Sequence, residues 1–132
     1  MRQPRPPSGA RPILVVDDDA ALRRLLFWAL TDEGYSVMEA SDGAVALARV
    51  HEAPPGLILL DMRMPVMNGW EFARRYRARP GPHAPVVCVT AAADAASVAA
   101  RGAEIGAVAS LSKPFDLEEL LALVERYVPP PA

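Results

Sequence analysis

Short, wholly apolar runs alternate along the chain with stretches whose apolar residues recur at helical spacing. Ile13-Leu14-Val15-Val16 is the first run. Leu22, Leu25, Leu26, Ala29 and Leu30 then fit one face of a helix, and Gly34 supplies a C-terminal stop. Residues 35–40 read as a second strand, 44–50 as a short helix and 57–60 as a third strand. Trp70, Ala73, Tyr76 and Arg77 lie on a third helix, with Asn68 placed to cap it and Pro80-Gly81-Pro82 to end it. Residues 86–89 predict a fourth strand, the alanine-rich stretch 93–105 a weakly amphipathic helix stopped by Gly106, and 107–111 a fifth strand. Asp116-Leu117-Glu118-Glu119 has the form of a capping box ahead of a last stripe, Leu117, Leu120, Leu121 and Val124. Strands that are apolar throughout are covered on both faces. Five such βα units predict an α/β domain with a five-stranded parallel sheet, doubly wound in three layers.

Chemistry gathers where the apolar runs stop. Asp17-Asp18-Asp19 close the first run, Asp61 the third, and Thr90 follows the fourth. Lys113-Pro114 come after the fifth, whereas the second ends in Glu39-Ala40-Ser41, which is less distinctive. Parallel strands open their C-terminal ends onto one crevice, where ligands bind, so these groups converge. Unit charges about 4 Å apart repel by roughly 4 kcal/mol at an effective dielectric of about 20. The acids therefore need a bound cation or a raised pKa. A set of two or three carboxylates suits Mg²⁺. With a hydroxyl and an amine at the same rim, the site fits phosphoryl chemistry. Asp61 would be the nucleophile, since a carboxylate can form an acyl phosphate, with Mg²⁺, Lys113 and Thr90 answering the charge on the phosphoryl oxygens.

Composition narrows this picture. At 132 residues the chain makes one domain, with no apolar stretch near the ~20 residues of a membrane span. Residues 1–11 are read as a disordered Pro/Arg-rich tail rather than a signal peptide, 12–128 as the folded domain, and 129–132 as a Pro-rich tail. Cys88, the one cysteine, sits inside an apolar run, which predicts an inert buried thiol and a cytoplasmic setting. Net charge is −2; with Arg2, Arg5 and Arg11 set aside, the remainder stands at −5, which argues against a nucleic-acid surface. Lys113 is the only lysine beside thirteen arginines. A compact ammonium acts on phosphate as a point charge, which Arg's planar fork cannot imitate.

These residues carry a family resemblance. Asp17-Asp18 after strand one, Asp61 followed by Met64-Pro65 and Asn68-Gly69, Thr90-Ala91 after strand four and Lys113-Pro114-Phe115 after strand five stand in order at four strand ends. The chain resembles a response-regulator receiver domain of two-component signalling, of the stand-alone, chemotaxis-receiver-like kind, over about residues 12–128. The resemblance implies the flavodoxin-like strand order 2-1-3-4-5. It implies phosphorylation of Asp61 by a phosphohistidine kinase or phosphotransfer protein. It also implies Mg²⁺ held directly by Asp18, Asp61 and the backbone carbonyl of Arg63, and through water by Asp17. Lys113 would pair with the phosphoryl group, its bond to Pro114 being cis, and Thr90 would donate its hydroxyl. Such a domain is a phosphoacceptor rather than an enzyme, capable only of Mg-dependent self-phosphorylation and self-dephosphorylation. Its output is binding of a downstream protein, with neither DNA nor membrane as a partner. One position departs from the pattern. Ser110 stands three residues before the lysine, where the family commonly places a switch aromatic, which leaves open a relay or adaptor role with little conformational output.

Other residues read more plainly. Asp19 is placed to cap the first helix, and Met62, Met64 and Met67 fill gaps beneath the loop after Asp61. His51 and His83 lack a second ligand at metal spacing, and Trp28 and Trp70 are packing or partial-surface residues. An aspartyl-phosphate phosphatase would want an acid at Arg63. A flavin module would want a hydroxyl- and glycine-rich loop where Asp17-Asp18-Asp19 stand, and a degenerate adaptor would have lost an acid.

Overall fold

A computed structural model describes residues 11–129, so most of the two expected tails lies outside the described residues. The strands β1 (Ile13–Val16), β2 (Val37–Ala40), β3 (Leu57–Leu60), β4 (Val86–Ala91) and β5 (Ala107–Lys113) pair in parallel in the order β2-β1-β3-β4-β5. The helices are α1 (Ala20–Asp32), α2 (Gly43–Glu52), α3 (Gly69–Ala78), α4 (Ala95–Arg101) and α5 (Leu117–Tyr127).

Alternate residues of each central strand feed opposite cores, which is why these strands are apolar until Thr90 near the end of β4. Leu14, Val16, Ile58, Leu60, Val86 and Cys88 pack under α2 and α3, against Ala46, Val50 and Phe72. Ile13, Val15, Leu57, Leu59, Val87 and Val89 pack on α1 and α5, against Leu26, Leu30, Leu120 and Val124. Each of these Val, Leu, Ile and Phe side chains contributes roughly 1.5–3 kcal/mol on burial. Cys88 is fully buried, and burial pushes its thiol up to about 11.

Local chemistry sets most of the boundaries. Asp19, Asp42 and Asn68 each accept a hydrogen bond from the backbone N–H three residues on, capping α1, α2 and α3. Gly34, at φ 95°, takes the left-handed turn that ends α1. Three expectations differ from the structure. Tyr35 precedes β2 rather than opening it, because its ring is buried and its hydroxyl donates to the Val128 carbonyl at 2.9 Å. Asp116 occupies the N-cap position of α5 without a side-chain capping bond. The alanine-rich stretch is not one helix: 3₁₀ turns at Ala92–Asp94 and Gly102–Ile105 flank a seven-residue α4. Alanines bury little surface, and α4 anchors itself through Val98 alone, so nothing drives a longer regular helix.

Candidate functional site

The ladder carries the strand ends to one rim. The Asp17 N–H donates to the Ala40 carbonyl at 3.1 Å and the Asp61 N–H to the Val16 carbonyl at 2.9 Å, so the two acids leave β1 and β3 as neighbours. On the other side, Thr90 pairs with Ser112 and Ala91 with Lys113, because β5 runs two residues further than its apolar pattern. The loop after Asp61 is held tightly. A Cβ on Gly69 would lie 2.6 Å from the Asp61 carbonyl oxygen, so α3 starts directly against the acid's own backbone.

One carboxylate oxygen from each of Asp17, Asp18 and Asp61 falls within 4.8 Å of the others. Asp17 and Asp61 are buried, and Asp18 is exposed. Lys113 reaches into this cluster, its Nζ 2.8 Å from Asp17 Oδ2 and 3.6 Å from Asp61 Oδ2. The other Asp17 oxygen accepts the Asp19 N–H at 2.9 Å, leaving Asp18 and Asp61 as the freer donors for a cation. An all-carboxylate set that excludes nitrogen and sulfur fits Mg²⁺.

Charge crowding shows in the protonation of the site. Burial, then the Asp17 charge, push the Asp61 carboxyl up to about 6, against the Arg63 N–H and Lys113, which act the other way. Burial disfavours the Lys113 ammonium, but the hydrogen bond to Asp17 and the two carboxylate charges outweigh it and raise its pKa. Thr90 is 1% exposed, and its hydroxyl has no hydrogen-bond partner among the described residues. A buried hydroxyl left unpaired costs about 1–3 kcal/mol. The nearby Asp94 carboxyl, lowered chiefly by Arg63, is lowered in part by this hydroxyl too, yet the two make no hydrogen bond within 3.5 Å.

Two residues at the rim play parts that their positions along the chain do not announce. Arg23 from α1 donates to the Asp17 carbonyl at 2.6 Å and pairs with Glu39 at 3.3 Å, tying the acid loop to β2. Arg63 crosses the mouth of the site to Asp94, with Nε and Nη2 at 2.7 and 2.9 Å from its two oxygens. The bond to Arg63 holds the Asp94 carboxyl below its ordinary range. Arg63 also donates its backbone N–H to Asp61 Oδ1 at 3.2 Å. Beside this pair opens a cleft of about 500 Å³, lined by Asp18, Asn68 and Trp70 among others.

Of the remaining sequence expectations, the Lys113–Pro114 peptide bond is cis. Ser110 is exposed and pairs in register with Cys88, away from the acids. Met62 and Met67 are buried under the loop. His83 bonds the Arg79 carbonyl at 2.8 Å and His51 approaches the Arg79 guanidinium at 3.2 Å, neither near the rim acids.

The profile of the response regulator receiver domain matches residues 13–125. The chain belongs to that family. This receiver is 44% identical over 112 residues to the DNA-binding response regulator MtrA of Mycolicibacterium paratuberculosis, a match covering 85% of this chain and 48% of MtrA. It is 43% identical, over the same shares, to the response regulator MprA of Mycobacterium leprae. Its fold superposes on the chemotaxis response regulator CheY4 of Vibrio cholerae with a TM-score of 0.81 at 33% identity, covering 90% of this chain and 99% of that one. The receiver thus spans about half the length of the curated relatives it matches.

These relatives correct one expectation. Net negative charge had argued against DNA, yet MtrA is a DNA-binding response regulator. The charge of a receiver describes the receiver's own surface and carries no information about the unit it works with. No described helix is long and apolar enough to cross a membrane.

Proposed function

We propose that this receiver accepts a phosphoryl group on Asp61 from a phosphohistidine on a kinase or phosphotransfer protein. The observation that carries the reading is the buried Thr90 hydroxyl, without a hydrogen bond among the described residues, on the same rim as a crowded carboxylate and the Lys113 ammonium. In the step, an Asp61 carboxylate oxygen attacks phosphorus, the P–N bond to the donor imidazole breaks, and its electron pair returns to the ring. The loose transition state spreads charge over the phosphoryl oxygens. Lys113 Nζ, already shared between Asp17 and Asp61, turns to one of those oxygens, and Thr90 donates to another. Asp18 and Asp61, with the Arg63 carbonyl, would hold Mg²⁺ directly and Asp17 through water. The ion, when bound, neutralises acids and phosphoryl together.

The protein is the acceptor, consumed once per transfer. Small donors with Mg²⁺ would phosphorylate it, and water would later release the group. Output passes to a second unit, and the DNA-binding relatives support a DNA-binding effector in that role, covalently joined or separate. A relay with little conformational output is the second reading, favoured by the exposed Ser110 where an aromatic ring would otherwise move.

Incubation with acetyl phosphate and Mg²⁺ tests the acceptor. One phosphoryl mass should be added, stable to acid and labile to base, and lost in Asp61→Asn. Equal modification of that variant would assign the nucleophile elsewhere. Amide exchange with and without beryllofluoride separates the two outputs: small changes along β5, enlarged by Ser110→Tyr, support the relay reading, and a large change across β5 in the parent rules it out.

A further inference from the structure

We propose that the Arg63–Asp94 ion pair is a latch that holds the start of α4 against the phosphoacceptor loop and that a phosphoryl group on Asp61 opens. The inference rests on Asp61 being the acceptor. Arg63 works in two directions: its backbone N–H is bonded to Asp61 Oδ1, while its guanidinium grips both oxygens of Asp94. The pair joins the loop after β3 to the loop after Thr90 across thirty-one residues.

Asp94 is the unusual partner. It stands at the N-cap position of α4, where an aspartate ordinarily accepts from its own helix, as Asp19 and Asp42 do here. Instead its backbone is held helical, at φ −98° and ψ −3°, it makes no capping bond, and its carboxylate goes to Arg63, with the Thr90 hydroxyl close enough to add to the lowering of its pKa. One carboxylate thus has two competing uses, tether or cap. Little else fixes this segment. The 3₁₀ turn before α4 buries no residue, α4 buries only Val98, and a second polar tie sets Arg101 5.2 Å over the Trp70 ring.

The guanidinium fork suits phosphate as well as carboxylate. A phosphoryl group brings a charge of about −1.5 to −2, against the single charge of Asp94, to the carboxylate that Arg63 already touches. Arg63 then exchanges Asp94 for the phosphoryl oxygens. The freed Asp94 carboxylate is placed to cap α4, and the turn from Ala92 to Asp94 comes loose. The switch is polar and local, and it uses no aromatic ring.

Linkage makes the idea measurable, because a latch that phosphate opens must also oppose the phosphate. Binding of beryllofluoride at saturating Mg²⁺, followed by calorimetry, should tighten roughly two- to fivefold in Asp94→Asn, the size of an exposed ion pair's contribution, since that variant loses the pair but keeps a capping group. Asp94→Ala, which loses the cap of the open state as well, should tighten less than Asp94→Asn. In an Arg63→Gln background, Asp94→Asn should change nothing. Tightening that persists in that background would mean Asp94 acts by its charge alone, and no tightening in the parent background would mean the pair does not resist the phosphoryl state. Either result overturns the latch. If beryllofluoride binds Asp61→Asn as well as the parent, the acceptor reading fails instead.

Discussion

Lys113 and Asp17, ninety-six positions apart in the chain, meet at 2.8 Å, and the same ammonium stands 3.6 Å from Asp61. One cation therefore neutralises two buried carboxylates at once. Removing it leaves both without a neutralising cation, with only the Asp19 and Arg63 backbone N–H groups bonded to them among the described residues. In metal-free protein, Lys113→Gln should cost on the order of 3 kcal/mol, read from denaturant midpoints. Adding Asp61→Asn should recover much of that loss, because the two sites are coupled. Simple additivity would show that Lys113 does not balance Asp61.

Asp61 also gives the metal-free fold a pH dependence. Its carboxyl is raised to about 6 in the folded state, against about 4 in an unfolded chain. The folded state holds the extra proton between those values, so this group's contribution to stability falls as pH rises from about 4 to 6. Above that window the charged acid destabilises the fold by on the order of 2–3 kcal/mol. With Mg²⁺ chelated, Asp61→Asn should melt higher than the parent at pH 7.5, and the gap should narrow toward pH 4. A constant gap across that range would place the acid's crowding elsewhere.

Thr90→Val separates stability from chemistry. The hydroxyl is buried and unpaired among the described residues, so replacing it by a methyl of similar shape should leave metal-free stability unchanged or raise it by about 1 kcal/mol. Affinity for beryllofluoride should nevertheless drop by roughly tenfold, one lost hydrogen bond to a charged group. A variant that is both unstable and fully responsive would contradict both halves.

Val66 tests the acid loop. It adopts φ 69°, and the Met67 N–H donates to the Pro65 carbonyl at 2.7 Å, closing a tight turn around a β-branched residue. Such a conformation costs of order 1–3 kcal/mol. Val66 is 82% exposed, so no packing is lost on substitution. Val66→Asn, which tolerates positive φ, should stabilise the protein by about 1 kcal/mol in thermal unfolding. Unchanged stability would show that the turn carries no strain.

Sequence by itself determined the architecture and the inventory of the rim. Wholly apolar runs such as 13–16 and 57–60 specify doubly covered strands, because each alternate side chain must find a core on its own face. Acids, hydroxyl and lysine standing just after those runs are carried to one edge by parallel topology alone. Caps at Asp19 and Asn68 were equally legible, since their bonds span three residues. Tertiary structure decided the rest. Asp94 carries no sign of its role in the chain, because its partner lies thirty-one residues away and it forgoes the local bond its position suggests. The same holds for Asp116, which is placed as a cap and makes no side-chain capping bond, and for the alanine-rich stretch, which only the scarcity of buried anchors breaks into turns and a short helix. Local bonds follow from spacing. Contacts between loops depend on where the packed sheet sets them down, and that placement also leaves the buried Thr90 hydroxyl without a hydrogen bond among the described residues.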